Sequence, residues 1–139
     1  MLAIFAALFF TVALLVTSAY FLLGALPLLV LKHDTPLDGR FVRGFFNTYY
    51  VATMVTAGGT AASFALMGRA GFAIGAAAIV AAAAALRKKL LGRMDAVRAQ
   101  IGDSGVEAIR QFRGLHLMAI GLTLVQLVVV VSSLMSLSL

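Results

Sequence analysis

The chain has 139 residues, of which 63% are hydrophobic and 12% charged, and its mean hydropathy is +1.07. A water-soluble domain of this size has too little interior to bury so much apolar surface, so the composition excludes an ordinary soluble globule. The chain contains no cysteine, which excludes disulfides, thiolate metal sites and cysteine nucleophiles.

Four uncharged runs fill most of the sequence, at residues 1–31, 44–68, 70–86 and 117–139. A helix needs about 20 apolar residues to cross a bilayer, and the runs are continuous rather than alternating, as barrel strands would be. We therefore predict an all-α, polytopic membrane protein with a single four-helix transmembrane domain over residues 1–139. The predicted spans are about 4–31, 45–68, 70–89 and 114–136.

The basic residues are distributed very unevenly between the predicted loops. Ten of the eleven lie in the loop after the first span or in the connection between the third and fourth, and the other is Arg69. The positive-inside rule then predicts cytoplasmic basic loops and both termini outside, in a bacterial inner membrane. Orientation in an anionic membrane accounts for the net charge of +6, so no nucleic-acid partner is expected. The first run lacks a basic residue before it, which favours a retained helix over a signal peptide.

Residues 90–113 are predicted to form a cytoplasmic helical hairpin that extends the third and fourth helices. Gly102 suits the end of one arm, and Ser104 with Glu107 fits a capping box that starts the next. The hairpin either covers its own apolar residues or offers a docking surface to another protein. Those apolar residues keep helical spacing on both arms: Leu90, Leu91, Met94, Val97 and Ile101, then Val106, Ile109 and Phe112.

Small residues concentrate in the second and third spans. Gly71 and Gly75 form a G-x-x-x-G frame before a run of alanines, and Gly58 and Gly59 form a similar patch. Such residues allow helices to approach closely in lipid, so we predict that these four glycines pack helices together and that the third helix is central. A second interpretation is that the G-x-x-x-G frame joins two copies of the protein.

Two polar ridges are expected to descend from the cytoplasmic face. Arg43, Asn47 and Tyr50 share one face of the second span. His116 and Gln126 share one face of the fourth.

His33 and His116 end up at the same depth in this topology, with Asp34 able to orient an imidazole. A polar pocket built from these residues would suit an amphiphilic ring compound, a haem or a metal. Two histidines and one carboxylate are an incomplete metal site, so interfacial histidines bonded to backbone or water are the competing interpretation. Gln126 is expected near mid-membrane, where an interhelical hydrogen bond is its predicted role.

The segment "FRGLHLMAIGLTLVQLVVVV" resembles the last span of small bacterial four-helix membrane proteins of unknown function, the anthrone-oxygenase-like group. The likeness extends to helix count, loop lengths and the aromatic start of the second span, "FFNTYY". It implies that the polar face near Leu115 and His116 is a substrate site for a hydrophobic ring compound oxidised without an obvious cofactor. No catalytic set matches residue by residue, so catalytic residues and cofactor stay unassigned.

Two functions follow as hypotheses. The first is a small accessory or interaction subunit that binds a membrane-protein partner, or its own copy, within the lipid bilayer. The second is a membrane-interface enzyme or binding protein that uses the histidine-containing pocket. The apolar runs at residues 1–31, 44–68, 70–86 and 117–139 contain no acidic or basic side chain, which disfavours ion pumps and proton-coupled transporters.

Overall fold

The computed structural model describes residues 1–28, 36–99 and 106–136. They form four helices, α1 (Leu2–Leu28), α2 (Pro36–Leu66), α3 (Ala70–Arg98) and α4 (Val106–Met135). Each helix packs against the next in the chain, and α4 closes the ring against α1. Neighbours run antiparallel, so the all-helical prediction is confirmed as an up-and-down four-helix bundle.

Three of the helices are long and apolar enough to cross a membrane: Leu2–Leu28, residues 70–97 of α3, and Val106–Met135. Among the described residues, α2 falls outside this set because four threonines, one serine and a pair of tyrosines lower its hydropathy. The prediction of four spans therefore holds by composition for three helices only. Since α2 packs along both α1 and α3, it covers the same length of the bundle.

The most enclosed helix is α2, which corrects the expectation that the third helix is central. Of the three apolar helices α3 is the least buried, because its alanines and glycines carry few side-chain atoms into the interior. The interior is filled instead by larger side chains of α2. Its buried residues are Val42, Phe46, Tyr49, Tyr50, Thr53, Ala57, Thr60, Ser63 and Phe64.

A tight turn at residues 67–69 joins α2 to α3, where the predicted spans 45–68 and 70–89 meet. Gly68 has φ +70°, a left-handed conformation that favours glycine. Arg69 N–H donates to the Phe64 carbonyl at 2.9 Å, and Gly68 N–H donates to the Ala65 carbonyl at 3.0 Å. These two bonds form a Schellman motif, which satisfies carbonyl groups at the end of α2.

The end of the bundle opposite this turn is its basic end, which carries Arg40, Arg43, Arg87, Lys88, Lys89, Arg93, Arg110 and Arg113. The main hydrophobic core lies there and includes Val42, Leu90, Met94 and Phe112. Val106 differs from its prediction, since it is 74% exposed while Ala108 enters the core. The predicted hairpin turn, with Gly102 and Ser104, lies outside the described residues.

Candidate functional site

His116 is the centre of the candidate site because it is a fully buried imidazole, 0% exposed. Its Nε2 lies 3.2 Å from the carbonyl oxygen of Ala25 on α1. A carbonyl only accepts, so Nε2 carries the proton and donates it. The ring also meets Phe46 of α2 edge-to-face, with centroids 5.4 Å apart. One side chain of α4 thus contacts both α1 and α2.

The Ala25 carbonyl belongs to the last turn of α1, where peptide dipoles give the helix end a partial negative charge. A donating imidazole is well suited to that position. His33 and Asp34, the other predicted members of the pocket, lie outside the described residues.

Arg43 and Asn47 lie on the side of α2 that faces α3. Arg43 Nε is 2.8 Å from Asp95 Oδ1 and donates to Oδ2 at 3.0 Å. Arg87 Nε donates to Asn47 Oδ1 at 2.9 Å. Both side chains therefore join α2 to α3, whereas His116 joins α4 to α1.

Tyr50 enters the same core as His116, as the ridge pattern of the sequence requires, and is 2% exposed. It packs against Tyr49, with ring centroids 5.2 Å apart, and against Phe46 at 6.4 Å. Among the described residues, the hydroxyls of Tyr49, Tyr50 and Thr53 are buried without a hydrogen-bond partner. Unsatisfied buried hydroxyls cost free energy, so this cluster is held by packing rather than by a polar network.

Gln126 makes the interhelical hydrogen bond that its position in the sequence predicts. Its Nε2 donates to Ser18 Oγ on α1 at 3.2 Å, and Ser18 in turn donates to the Leu14 carbonyl at 2.9 Å. With the His116 bond, this gives two polar links between α4 and α1, which lie 7 residues apart on α1 and 10 residues apart on α4.

The four glycines predicted to pack helices behave differently from one another. A Cβ on Gly59 would overlap the ring of Phe10, so Gly59 does let α1 approach α2 closely. A Cβ on Gly58, Gly71 or Gly75 would meet nothing within 4 Å, so no neighbouring helix approaches these three positions as closely as α1 approaches Gly59. Packing depends on the direction of each Cα–Cβ bond, which a short motif does not specify.

Gly71 and Gly75 instead line a cavity of about 110 Å³ at the end opposite the basic end. All four helices contribute to its wall, which includes Thr11, Leu14, Phe64 and Val130. The Thr11 hydroxyl donates to the Ala7 carbonyl of its own helix, so it adds little polarity to the wall. The cavity is therefore apolar in character, and it lies away from His116.

Sequence reasoning missed Asp95, the partner of Arg43, and Gly24. Asp95 is the single acid among the basic residues of 87–98, a signal that favours an ion pair. A Cβ on Gly24 would lie 2.8 Å from Phe45, so Gly24 is a second close contact between α1 and α2. Nothing in the sequence around Gly24 distinguishes it from other glycines.

Within the described ranges, no group of three or more histidine or acidic side chains is arranged to hold a metal ion. Comparison with protein-family models, curated proteins and solved structures finds no match to this chain. The resemblance to the anthrone-oxygenase-like group therefore stays a prediction, and function has to be argued from the geometry.

Proposed function

We propose that this protein is an accessory subunit of a membrane assembly, which binds a membrane-protein partner or a second copy of itself along α3. The basic end faces the cytoplasm in this proposal, and both termini lie on the other side of a bacterial inner membrane. Ten of the eleven basic residues belong to the loops and helix ends on that side.

The observation that carries the proposal is an exposed face of α3, of which the first two residues, Gly71 and Gly75, also border the apolar cavity. Gly71, Gly75, Ala78, Ala82 and Ala85 are all exposed and follow one another at intervals of three or four residues. They therefore form a stripe, here called the α3 stripe, about 21 Å long at 1.5 Å per residue. Side chains this small allow a second helix to approach closely. In a bilayer the hydrophobic effect does not favour helix–helix contact, so helices associate through such close packing.

The polar side chains of the bundle support the same proposal. Arg43 and Asn47 bind residues of α3, and His116 and Gln126 bind residues of α1. These side chains link neighbouring helices and are thereby engaged in the fold. A bundle held in this way presents a fixed surface to a partner, which lowers the entropy lost on binding.

Photo-crosslinking in native membranes tests the α3 stripe. A diazirine-bearing amino acid at Ala78 or Ala82 is expected to give a discrete protein adduct, because a partner helix lies against these positions. The matched controls are Val125 and Val128 of α4, which are 62% and 58% exposed and are expected to give lipid adducts. An adduct of twice the 14.6 kDa chain mass identifies a second copy, and any other discrete mass identifies a different protein.

Lipid adducts alone from all four positions would contradict the proposal. So would protein adducts of equal yield from α3 and α4, since these would reflect crowding and not a defined surface.

A membrane-interface binding protein for a hydrophobic ring compound is the second candidate. The observation that favours it is the set of buried hydroxyls on Tyr49, Tyr50 and Thr53, which a ligand with polar substituents would satisfy. Tyr49 and Tyr50 lie in the hydrophobic core with Phe46, and Phe46 meets His116 edge-to-face.

Mass and absorption spectra of gently extracted protein test this candidate. Binding predicts about one ring compound per chain, and Tyr50→Phe is expected to lower that occupancy several-fold because it removes one hydroxyl. Tyr20→Phe is the control, since Tyr20 is 69% exposed. Without a ligand, Tyr50→Phe would instead be neutral or stabilising, because it removes an unsatisfied buried group. That result, with no bound compound in the wild type, would exclude the candidate.

A further inference from the structure

An open groove runs along the outside of the basic end, between α1 and α2. It is lined by Tyr20, Phe21, Arg40, Phe41, Gly44, Phe45 and Thr48. Tyr20 and Phe41 are strongly exposed, at 69% and 64%. Phe21 and Phe45 are half-buried and pack on each other with centroids 4.8 Å apart, so they form the floor.

Among its lining residues, the groove carries a charge at one end only. Arg40 lies nearest the start of α2, and Thr48, the last α2 residue of the groove, is about 12 Å further along at 1.5 Å per residue. The Thr48 hydroxyl donates to the Gly44 carbonyl at 3.1 Å, so its donor is engaged by its own helix. The groove therefore offers one cation followed by a surface made mostly of aromatic rings.

Arg40 differs from its neighbour Arg43 in its electrostatic environment. Asp95 pairs with Arg43, whereas no carboxylate among the described residues pairs with Arg40, which is exposed. An unpaired guanidinium with five N–H donors is well suited to phosphate oxygens. Charge complementarity thus identifies an anion as the group to be bound at this end.

The missing side chain of Gly44 keeps the groove open. A Cβ at this position would meet nothing within 4 Å, so the space above Gly44 is free. A chain leaving the phosphate at Arg40 can therefore pass over Gly44 and lie along the rings of Phe21 and Phe45.

We propose that this groove binds one anionic phospholipid, with its phosphate at Arg40 and one acyl chain along the aromatic floor. The combination of one unpaired cation and an apolar run matches an amphiphile better than a soluble anion. The cytoplasmic leaflet that the proposed orientation assigns to the basic end is the anionic one. The inference rests on the membrane placement in the proposed function, and it is independent of the α3 stripe because it uses α1 and α2.

Native mass spectrometry of the full chain, extracted in a zwitterionic detergent and supplied with phosphatidylglycerol or phosphatidylcholine, tests the groove. The wild type is expected to retain more phosphatidylglycerol than phosphatidylcholine. Arg40→Ala is expected to reduce that retention about fivefold, the effect of one basic residue near an anionic headgroup. Arg110→Ala is the matched control, because the Arg110 side chain is 76% exposed and contacts Glu107 of its own helix.

Gly44→Leu provides a second variant that leaves Arg40 in place. It is expected to reduce phosphatidylglycerol retention by filling the path of the acyl chain. The unfolding temperature is expected to stay unchanged or to rise, because the position has free space and leucine has a better helix propensity than glycine. Soluble glycerol phosphate at equal concentration is expected not to displace phosphatidylglycerol. This result distinguishes binding of a whole lipid from binding of a free phosphate.

Equal losses in Arg40→Ala and Arg110→Ala would overturn the proposal, since they would show a diffuse effect of charge. Equal retention of the two lipids by the wild type would also overturn it. A selective lipid without crosslinks from α3 would support the groove and contradict the accessory role, so the two failures are distinguishable.

Discussion

Replacing His116 with alanine is expected to lower the free energy of unfolding by about 2–4 kcal/mol. The change removes a fully buried ring that packs against Phe46, and truncating a large core side chain to alanine typically costs this much. It also removes the hydrogen bond from Nε2 to the Ala25 carbonyl, worth about 1 kcal/mol within that total. Equilibrium unfolding in mixed micelles, followed by circular dichroism, measures the change.

Two further variants separate the contributions of the ring and of its hydrogen bond. His116→Phe keeps an aromatic ring without a donor, so it is expected to fall between the wild type and His116→Ala. Leu117→Ala is the control, because this neighbouring side chain is 54% exposed and is expected to change stability by less than about 1 kcal/mol. An unchanged stability in His116→Ala would show that the imidazole does not hold α4 to α1. Loss of a bound ring compound in that variant would favour the second candidate function.

Gly59→Ala is expected to destabilise the bundle by about 1–3 kcal/mol, whereas the same change at the adjacent Gly58 is expected to be neutral or stabilising by up to about 1 kcal/mol. A Cβ at Gly59 would overlap the ring of Phe10, so α1 and α2 would have to separate or the ring would have to move. A Cβ at Gly58 meets nothing within 4 Å, and there alanine brings only its better helix propensity. Unfolding of the two variants, side by side, measures the difference.

The double variant Gly59→Ala with Phe10→Ala tests whether the ring is the cause. Removing the ring is expected to cancel most of the cost of the new methyl group, which would appear as a favourable coupling in the double-mutant cycle. Equal effects at Gly58 and Gly59, or additive effects of the two changes, would contradict the close approach of α1 and α2 at this point.

Several local features were predictable because they depend on residues near one another in the chain. The turn at Gly68 lies where Arg69 separates two uncharged runs of the sequence. Gly68 has a positive φ, a conformation that glycine tolerates better than other residues. The apolar spacing of Leu90, Leu91 and Met94 predicted one buried helix face, and all three side chains are buried. Gln126 in an apolar run predicted an interhelical hydrogen bond, because an amide in hydrocarbon needs a partner.

The candidate site was less predictable, because it depends on how the helices are rotated about their axes. Arg43, Asn47 and Tyr50 share a ridge in the sequence, yet the first two face α3 while Tyr50 faces the core. A rotation of a few tens of degrees decides between these neighbours, and helical periodicity alone does not fix it. The same argument applies to Gly58 and Gly59, whose Cβ directions differ by 100° along an ideal helix.

By itself, the sequence determined that the chain is helical, and that most of its charges lie in two of the connections between helices. It also predicted four membrane spans, of which three correspond to helices apolar enough to cross a membrane. These properties are sums over many residues, so they do not depend on the details of packing. The tertiary structure alone decided that α2 is the most buried helix, that His116 donates to Ala25, and that Asp95 pairs with Arg43 while no described carboxylate pairs with Arg40. Each of these features depends on contacts between different helices, and the shapes of the packed side chains determine which arrangement forms.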